Sequence, residues 1–429
     1  MKESEKYMKK SLILKGVLGF IFIFLIFINL GKTSYNNIKT DFETPIINTL
    51  SIKSFFEGIL GSITGGSKLK VDKEVTISST NVCNFANATG KSNKDYCVNL
   101  HANIYYSNKK TKNWALLVHG NMMSANSMAS AVGKMYLDNN INILAIDLRG
   151  FGNSSGSVAM GFLESLDVMN WLDFLNSSNE IASDRKPEKI LIHGISLGGA
   201  TTIQTLTMGG LNVSGVGVMP SISSKNVVGV VDDCGYTSMN GIITSMLPSL
   251  GGNKNTISNN SKELFGNGSG FNSWGASKKS NNGLGSLGNI KLNGNNDNLK
   301  NTLIKTVLTG NLIKTGLNTE NFELYQDAFG NNRTADKNIK VMVIHGSGDT
   351  TVPPTNADTV IQNSNVIETY RPDGSPHAFI VVGQHKKEYT EKVDSFVENL
   401  SMNTKNDSNN NSKDSFIGKF FGNLFKNNK

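Results

Sequence analysis

Gly194-Ile-Ser196-Leu-Gly198-Gly199 lies between a short apolar run, Ile190-Leu-Ile, and a helical pattern that starts at Ala200. A serine on so sharp a strand-to-helix turn takes a strained backbone that lifts its oxygen clear of the sheet. The helix N-terminus then points free N–H groups at the same spot. A serine hydroxyl alone is a poor nucleophile. It needs a base to take its proton, and the base needs an acid to hold its tautomer and stabilise the imidazolium. The chain holds 6 histidines. His119, His193 and His345 stand at or beside strand ends just before Gly, where an imidazole packs or bonds backbone. His101 belongs to an early strand pair, and His385 begins the final helix. His377 is in a loop after the last strand, at the carboxyl edge of the sheet where ligands bind in α/β folds. For the acid, Asp349 sits just past a strand end in a tight Gly-rich turn. Asp373 is nearer to His377 in sequence, but in Arg371-Pro-Asp-Gly374 it reads as a turn residue.

These residues need a scaffold, and the pattern supplies one. Trp114-Ala-Leu-Leu-Val118 runs into His119-Gly120-Asn121, and Ala125 to Leu137 reads as a helix. Ile141 to Ile146 is a strand ending in Asp147-Leu-Arg149-Gly150. Phe162 to Leu175 reads as an amphipathic helix, and Val227 to Val231 as a strand closing on Asp232-Asp233-Cys234. Ile339 to Ile344, a helix from Pro354 to Gln362, a strand Val366 to Tyr370 and a helix Tyr389 to Leu400 complete the series. Strands apolar throughout and alternating with helices mean a mostly parallel sheet flanked by helices on both faces. Before them, Val71–Ser78 and Asn99–Tyr106 alternate like an antiparallel pair. Cys83 and Cys97 bracket the loop between the two, where a disulfide would staple a hairpin in an oxidising compartment. Cys234 is expected to be a small buried hydrophobe. Ala88-Thr-Gly90-Lys91-Ser92 imitates the end of a phosphate-binding loop, but Phe85 stands where the first Gly is needed and no helical pattern follows.

The 429 residues suffice for one large domain with insertions, and 38% hydrophobic content supports a core. The formal charge of +8 comes from scattered lysines without a basic helix, zinc finger or aromatic RNA-binding signature, which argues against nucleic acid as a partner. Residues 1–10 are basic. Residues 11–30 hold a nearly unbroken apolar run that is just long enough to cross a bilayer. No small-x-small cleavage site or lipidation Cys follows it, so an uncleaved signal-anchor is expected, with the N-terminus cytoplasmic and the remainder extracytoplasmic. Residues 31–66 read as a stalk and 67–400 as the main domain. A Gly/Asn/Ser-rich insertion over about 239–338 reads as a cap or lid. Residues 401–429 are a polar linker and a short Phe- and Lys-bearing tail that could touch a membrane surface.

Taken together, the motifs resemble the α/β-hydrolase superfamily. They are the elbow Gly194-x-Ser196-x-Gly198-Gly199, His119-Gly120, Asp147-x-Arg149-Gly150-x-Gly152, His345-Gly-x-x-Asp349-x-x-Val352-Pro353 and the late His377, in the superfamily's order Ser, Asp, His. The set is most similar to a bacterial, often membrane-anchored, esterase-like branch, in which a strand ending like Asp233-Cys-Gly-Tyr-Thr-Ser238 is familiar. The resemblance implies Ser196 as nucleophile, His377 as base and Asp349 as acid. It also implies an oxyanion hole from the N–H groups of Asn121 and Leu197, with no metal and no organic cofactor. Two departures stand out. Pro376 and Ala378 flank His377 where relatives more often carry Gly, and the insertion after Ser238 is longer than the usual cap. The expected activity is cleavage of a small-molecule or lipid-like carboxylic ester or thioester through an acyl-enzyme on Ser196. A serine peptidase of the same fold and a catalytically inactive surface scaffold or adhesin are the alternatives.

Overall fold

Each central strand carries apolar residues on both faces, and the sheet buries both. The computed structural model describes residues 69–90, 96–121, 123–238, 241–242, 333–381 and 383–403. The strands are β1 (Lys73–Ser78), β2 (Asn99–Tyr105), β3 (Asn113–Val118), β4 (Asn142–Ile146), β5 (Lys189–Ile195), β6 (Asn212–Val213), β7 (Gly217–Val218), β8 (Val227–Asp233), β9 (Lys340–Ile344) and β10 (Val366–Tyr370). Eight of them form one sheet in the order β1-β2-β4-β3-β5-β8-β9-β10, and β6 pairs with β7 apart from it. β2 runs antiparallel to both its neighbours, and from β4 to β10 every pairing is parallel.

The two faces divide the apolar residues by strand alternation. On one side Trp114, Leu116, Val118, Ile190, Ile192, Val341 and Val343 join the core beneath α1 (Thr80–Ala88), α4 (Phe162–Ser177) and α5 (Leu197–Leu206). On the other, Ala115, Leu117, Leu191, Met342 and Ile344 pack with α2 (Ala125–Met128), α3 (Lys134–Asp138) and α7 (Lys386–Asn399). The remaining helix, α6 (Thr355–Asn363), connects β9 to β10 and packs on β9.

Several expectations need correction. The segment between the first two strands is not a plain loop. α1 forms there because Val82, Phe85 and Ala86, at helical spacing, all face the core. Cys83 on that helix is disulfide-bonded to Cys97 at the entry to β2, with a Cα–Cα distance of 4.5 Å. The helix expected over 125–137 is interrupted by a π turn, Ala129–Gly133, between α2 and α3. The helix expected over 162–175, α4, is buried nearly all round rather than amphipathic, because α1 covers the face that would have met water. Several polar groups on that face are paired. Asp167 accepts from Ser79 Oγ (2.5 Å) and from Arg149 Nε (2.7 Å), and Asn81 Nδ2 donates to the Leu166 carbonyl (3.3 Å). Arg149 and Asp167 are both fully buried, so removing either partner would strand a charge in the core.

The basic N-terminus, the transmembrane segment over 11–30, the stalk, nearly all of the insertion and the C-terminal tail lie outside the described residues. Among the described residues no helix is long and apolar enough to cross a membrane.

The disulfide closes a loop of sequence separation 14. Loop-closure entropy for that length corresponds to about 3 kcal/mol. A Cys83→Ser/Cys97→Ser protein is expected to lose stability of that order in urea unfolding, and an unchanged midpoint would show that the pairing contributes nothing.

Candidate active site

The turn from β5 to α5 holds Ser196 at φ 57 and ψ −115, a conformation that side chains other than Gly rarely take. Neighbouring contacts over-determine it. A Cβ at Gly194 would lie 2.1 Å from the Gly198 carbonyl oxygen, and one at Gly198 would lie 2.0 Å from the Val118 oxygen. Only glycine lets β5, β3 and the first turn of α5 meet at these distances. The Ser196 N–H donates to the Asp233 carbonyl (2.8 Å) and its own carbonyl accepts from Ala200 (2.9 Å), so strand and helix both grip the turn.

From this turn Ser196 Oγ reaches His377 Nε2 at 2.8 Å. On the other side of the ring, His377 Nδ1 is 2.6 Å from Asp349 Oδ2. His377 comes from the loop after β10, and Asp349 from the turn after β9. The structure thus brings together Ser196, His377 and Asp349 across 181 and 28 residues of sequence. His377 keeps 19% of its side chain exposed while Asp349 is fully covered, so the ring bridges a dry acid and an accessible hydroxyl. Ala378, next to His377, adopts φ 56, the left-handed region in which relatives' Gly would be at ease.

Asp349 is held by four donors. Its Oδ1 accepts the N–H groups of Thr351 (2.9 Å) and Val352 (2.8 Å). Its Oδ2 accepts from His377 and faces His345 Nε2 at 3.3 Å. Burial alone would push this carboxyl up, but the hydrogen bonds from His345 and His377 outweigh it and bring its pKa down to about 2. His345 was expected to pack or bond backbone. It does donate to the Val352 carbonyl (2.9 Å), yet the same N–H also faces Asp349, a second imidazole behind the acid. The i, i+4 spacing of His345 and Asp349 was the available signal. Asp373 instead accepts from Ser347 Oγ (2.6 Å), as a turn residue should.

Leu197 and Asn121, expected to supply N–H groups to an oxyanion, each follow a residue of the elbow or one packed against it. Leu197 opens α5, so its N–H has no acceptor within the helix. Asn121 follows Gly120, where a Cβ would come within 3.1 Å of the Ile195 oxygen and 3.3 Å of the Ser196 Cβ. That close approach is set by His119. Its Nε2 accepts the Leu148 N–H (3.0 Å), which leaves Nδ1 to donate to the Gly120 carbonyl (2.7 Å). Burial pushes the His119 ring down, in keeping with this neutral tautomer. Asp147, at the end of β4, caps α2 through the Ala125 N–H (2.7 Å) and takes His101 Nδ1 at 2.8 Å.

Cys234 is buried, as expected, but its surroundings are not merely apolar. Its sulfur, an Asp349 oxygen and a His377 nitrogen lie within 4.8 Å of one another. A metal ion there would have to break the His377–Asp349 hydrogen bond. Burial pushes the Cys234 thiol well up, and Asp233 and Asp349 add to it.

The sheet order, the single antiparallel strand near one edge and the sharp Gly-x-Ser-x-Gly turn after the central parallel strand β5 define a fold class. The Hydrolase_4 family model (serine aminopeptidase, S33) matches residues 109–259, which hold the elbow and the strands around it. The chain has the α/β-hydrolase fold, and this match covers about a third of its length. Multifunctional-autoprocessing repeats-in-toxin proteins of Vibrio cholerae and Vibrio vulnificus are 36% identical to it over 84 residues, 20% of this chain and 2% of their own length. Among solved structures, it is similar to an esterase of Pyrococcus furiosus, with 16% identity, 79% of this chain and 95% of that chain covered, and a TM-score of 0.44. It is also similar to Est1E of Butyrivibrio proteoclasticus with ferulic acid bound, with 14% identity, 71% and 96% coverage and a TM-score of 0.42.

With its pKa near 2, the Asp349 carboxylate sits below the ordinary value of about 3.9. A depressed native pKa contributes stability that is present above about pH 4 and is lost as pH falls towards about 2. Urea unfolding across that window is expected to show this loss, on the order of 2 kcal/mol, in the native protein. In Asp349→Asn the same window should be flatter by about that amount. Equal slopes would mean that Asp349 is not ionised against its donors.

Proposed function

We propose that this protein is a membrane-anchored, extracytoplasmic serine hydrolase that cleaves a carboxylic ester or thioester through an acyl-enzyme on Ser196. One observation carries the reading: Ser196 Oγ, His377 and Asp349 form an unbroken hydrogen-bonded series at 2.8 and 2.6 Å. With Asp349 ionised, His377 Nδ1 must carry the proton it donates. Nε2 is then the acceptor for the Ser196 hydroxyl. As Ser196 Oγ attacks the carbonyl carbon, its proton passes to His377 Nε2, and the imidazolium is stabilised by the carboxylate behind it. The N–H groups of Asn121 and Leu197 receive the developing oxyanion. Collapse of the tetrahedral intermediate expels the alcohol or thiol, which takes the proton from His377. Water then attacks the acyl carbon while giving a proton to the same nitrogen, and as the bond to Ser196 breaks that proton returns to Oγ, releasing the acid and the free hydroxyl. None of these steps calls on a metal or a cofactor.

The match to a family described as serine aminopeptidase favours a second reading, attack on the amide of a peptide with a free amino end. The two differ in leaving group, and an amide needs the His377 proton at nitrogen more than an ester does at oxygen. The apolar run over 11–30, preceded by Lys2, Lys6, Lys9 and Lys10, supports the anchor and its orientation.

Fluorophosphonate labelling of the full chain is expected to modify the native protein, and to fall by roughly a thousandfold or more in Ser196→Ala and His377→Ala. Folded native protein that does not label would leave the scaffold reading standing. Paired p-nitrophenyl esters and aminoacyl p-nitroanilides then decide between esterase and peptidase by their relative kcat/KM. For the anchor, the chain is expected to stay with membranes through alkaline extraction, and the catalytic domain to be cut by protease added to intact cells. Release into the wash would remove the anchor from the proposal.

A further inference from the structure

Strand alternation puts His101, Asn103 and Tyr105 of β2 on the face that α2 covers, where apolar side chains would be expected. Asn103 Nδ2 (3.0 Å) and Tyr105 Oη (3.1 Å) both donate to Asn126 Oδ1 in α2. His101 Nδ1 is 2.8 Å from Asp147 Oδ2, and Asp147 Oδ1 accepts the Ala125 N–H that opens α2 at 2.7 Å. The Asn153 N–H closes on Oδ2 at 3.0 Å, and a Cβ at Gly152 would lie 2.3 Å from the same carboxyl group. Burial alone would raise the pKa of Asp147, but the His101 bond and the two N–H donors bring it down. This is an enclosed carboxylate with every neighbour donating to it.

The corner that carries Asp147 also holds the other end of the segment before α2. The Leu148 N–H goes to His119 Nε2 (3.0 Å), and His119 Nδ1 donates to the Gly120 carbonyl (2.7 Å), which also accepts the Met123 N–H (3.2 Å). In a planar trans peptide, a carbonyl and the N–H that follows it point in opposite directions. No described peptide is cis, so two donors on the Gly120 oxygen turn the Asn121 N–H the other way. Gly120 itself packs on the elbow, where a Cβ would lie 3.3 Å from the Ser196 Cβ, and Asn121 is exposed. Two consecutive residues therefore grip the segment at both ends, Leu148 by its main chain at His119 and Asp147 by its carboxylate at Ala125.

We propose that Asp147 is a positioning residue of the oxyanion hole: its carboxylate, paired with His101, holds the start of α2 so that the Asn121 N–H keeps its direction beside Ser196. It touches neither substrate nor the reacting atoms. The role rests on the reading of Ser196 as nucleophile and Asn121 as a donor to the oxyanion. His101 makes the grip depend on a proton. The charged groups facing its ring are Asp147 from the end of β4 and Glu74 from β1, whose Oε2 lies 3.5 Å from the buried Nε2. A neutral ring with its proton on Nδ1 would turn a bare lone pair towards Glu74, and Nε2 has no hydrogen-bond partner. The imidazolium presents an N–H to both carboxylates. The Asp147 hydrogen bond accordingly raises His101 above its ordinary value, against the effect of burial. A raised native pKa contributes stability that is complete below about pH 6.5 and is lost as pH rises through the native value.

The test uses the full chain, p-nitrophenyl esters and a trifluoromethyl ketone, with active sites counted by fluorophosphonate labelling. Asp147→Asn sets an amide N–H against donors that need an acceptor. It is expected to lower kcat per labelled site by about tenfold or more while KM changes little. Affinity for the ketone, whose adduct on Ser196 carries an oxyanion, should fall by the same factor. His101→Gln keeps a neutral donor and loses the charge, so its deficit should be smaller, largest near about pH 6 and shrinking as pH rises. If Asp147 only supports the fold, both variants melt earlier while kcat per labelled site and ketone affinity stay native, and the proposal is overturned. Should Asp147→Asn fail to fold, His101→Gln decides: a pH-dependent loss supports the proposal, and none overturns it. Hydrogen exchange needs no activity. Over residues 119–125 it is expected to quicken in Asp147→Asn, or failing that in His101→Gln, while β3 and β5 keep their native rates. A native chain that never labels but opens locally in this way would sink the hydrolase reading and leave the grip of Asp147 standing. Labelling with native exchange, kcat and ketone affinity in the variants would do the reverse.

Discussion

The close approach of three backbones at the elbow constrains the rest of the molecule. β3, β5 and the first turn of α5 meet at distances that exclude a Cβ at Gly194 and Gly198. The result is a serine held at φ 57, which costs on the order of 1–3 kcal/mol of backbone strain. That cost is tolerable because the strand is central. β5 is paired on both sides, by β3 and β8, and its helix is buried along its whole length. An edge strand with the same turn would relax.

Three of the seven non-Gly residues with positive φ among the described residues lie around Ser196 and His377. Ser196, Cys234 and Ala378 all have positive φ, and each lies at a strand end or loop that delivers a group to the site. Each turn is bonded to a neighbour. The Ser196 N–H goes to Asp233, the Cys234 N–H goes to Ile344 at 2.8 Å, and the His345 N–H goes to Tyr370 at 3.0 Å. These bonds run across the carboxyl ends of β5, β8, β9 and β10. They hold four turns in one frame, so that a hydroxyl, an imidazole and a carboxylate from distant parts of the chain meet within hydrogen-bonding distance.

Electrostatically the site is layered. An exposed edge of His377 faces the hydroxyl, a fully covered Asp349 lies behind it, and His345 backs the acid. Two main-chain N–H groups on Asp349 Oδ1 stabilise the same charge. Such a carboxylate stays ionised whether or not the neighbouring imidazole carries a second proton.

The strand and helix order, the elbow and the placement of Ser196, His377 and Asp349 at the carboxyl edge of the sheet were legible in the sequence, because each depends on local pattern. Continuous apolar runs mark buried strands, Gly-x-Ser-x-Gly marks a tight turn, and a His or Asp just past a strand end lies at the carboxyl edge of a parallel sheet. What stayed illegible depends on which surfaces meet. α4 looked amphipathic until α1 covered its polar face and paired Asp167 with Ser79 and Arg149. The segment holding Cys83 read as a loop because α1 is too short to form without the core that Val82, Phe85 and Ala86 face. The buried hydrogen-bonded series Tyr136–His193–Tyr389–Asp233 spans more than 250 residues and shares no motif, so only packing of α3 and α7 on one side of β5 and β8 brings its members into line. Local chemistry fixed what each turn could offer, and the tertiary fold decided which offers were joined, since hydrogen bonds between distant segments depend on ångström-scale distances that no sequence spacing encodes.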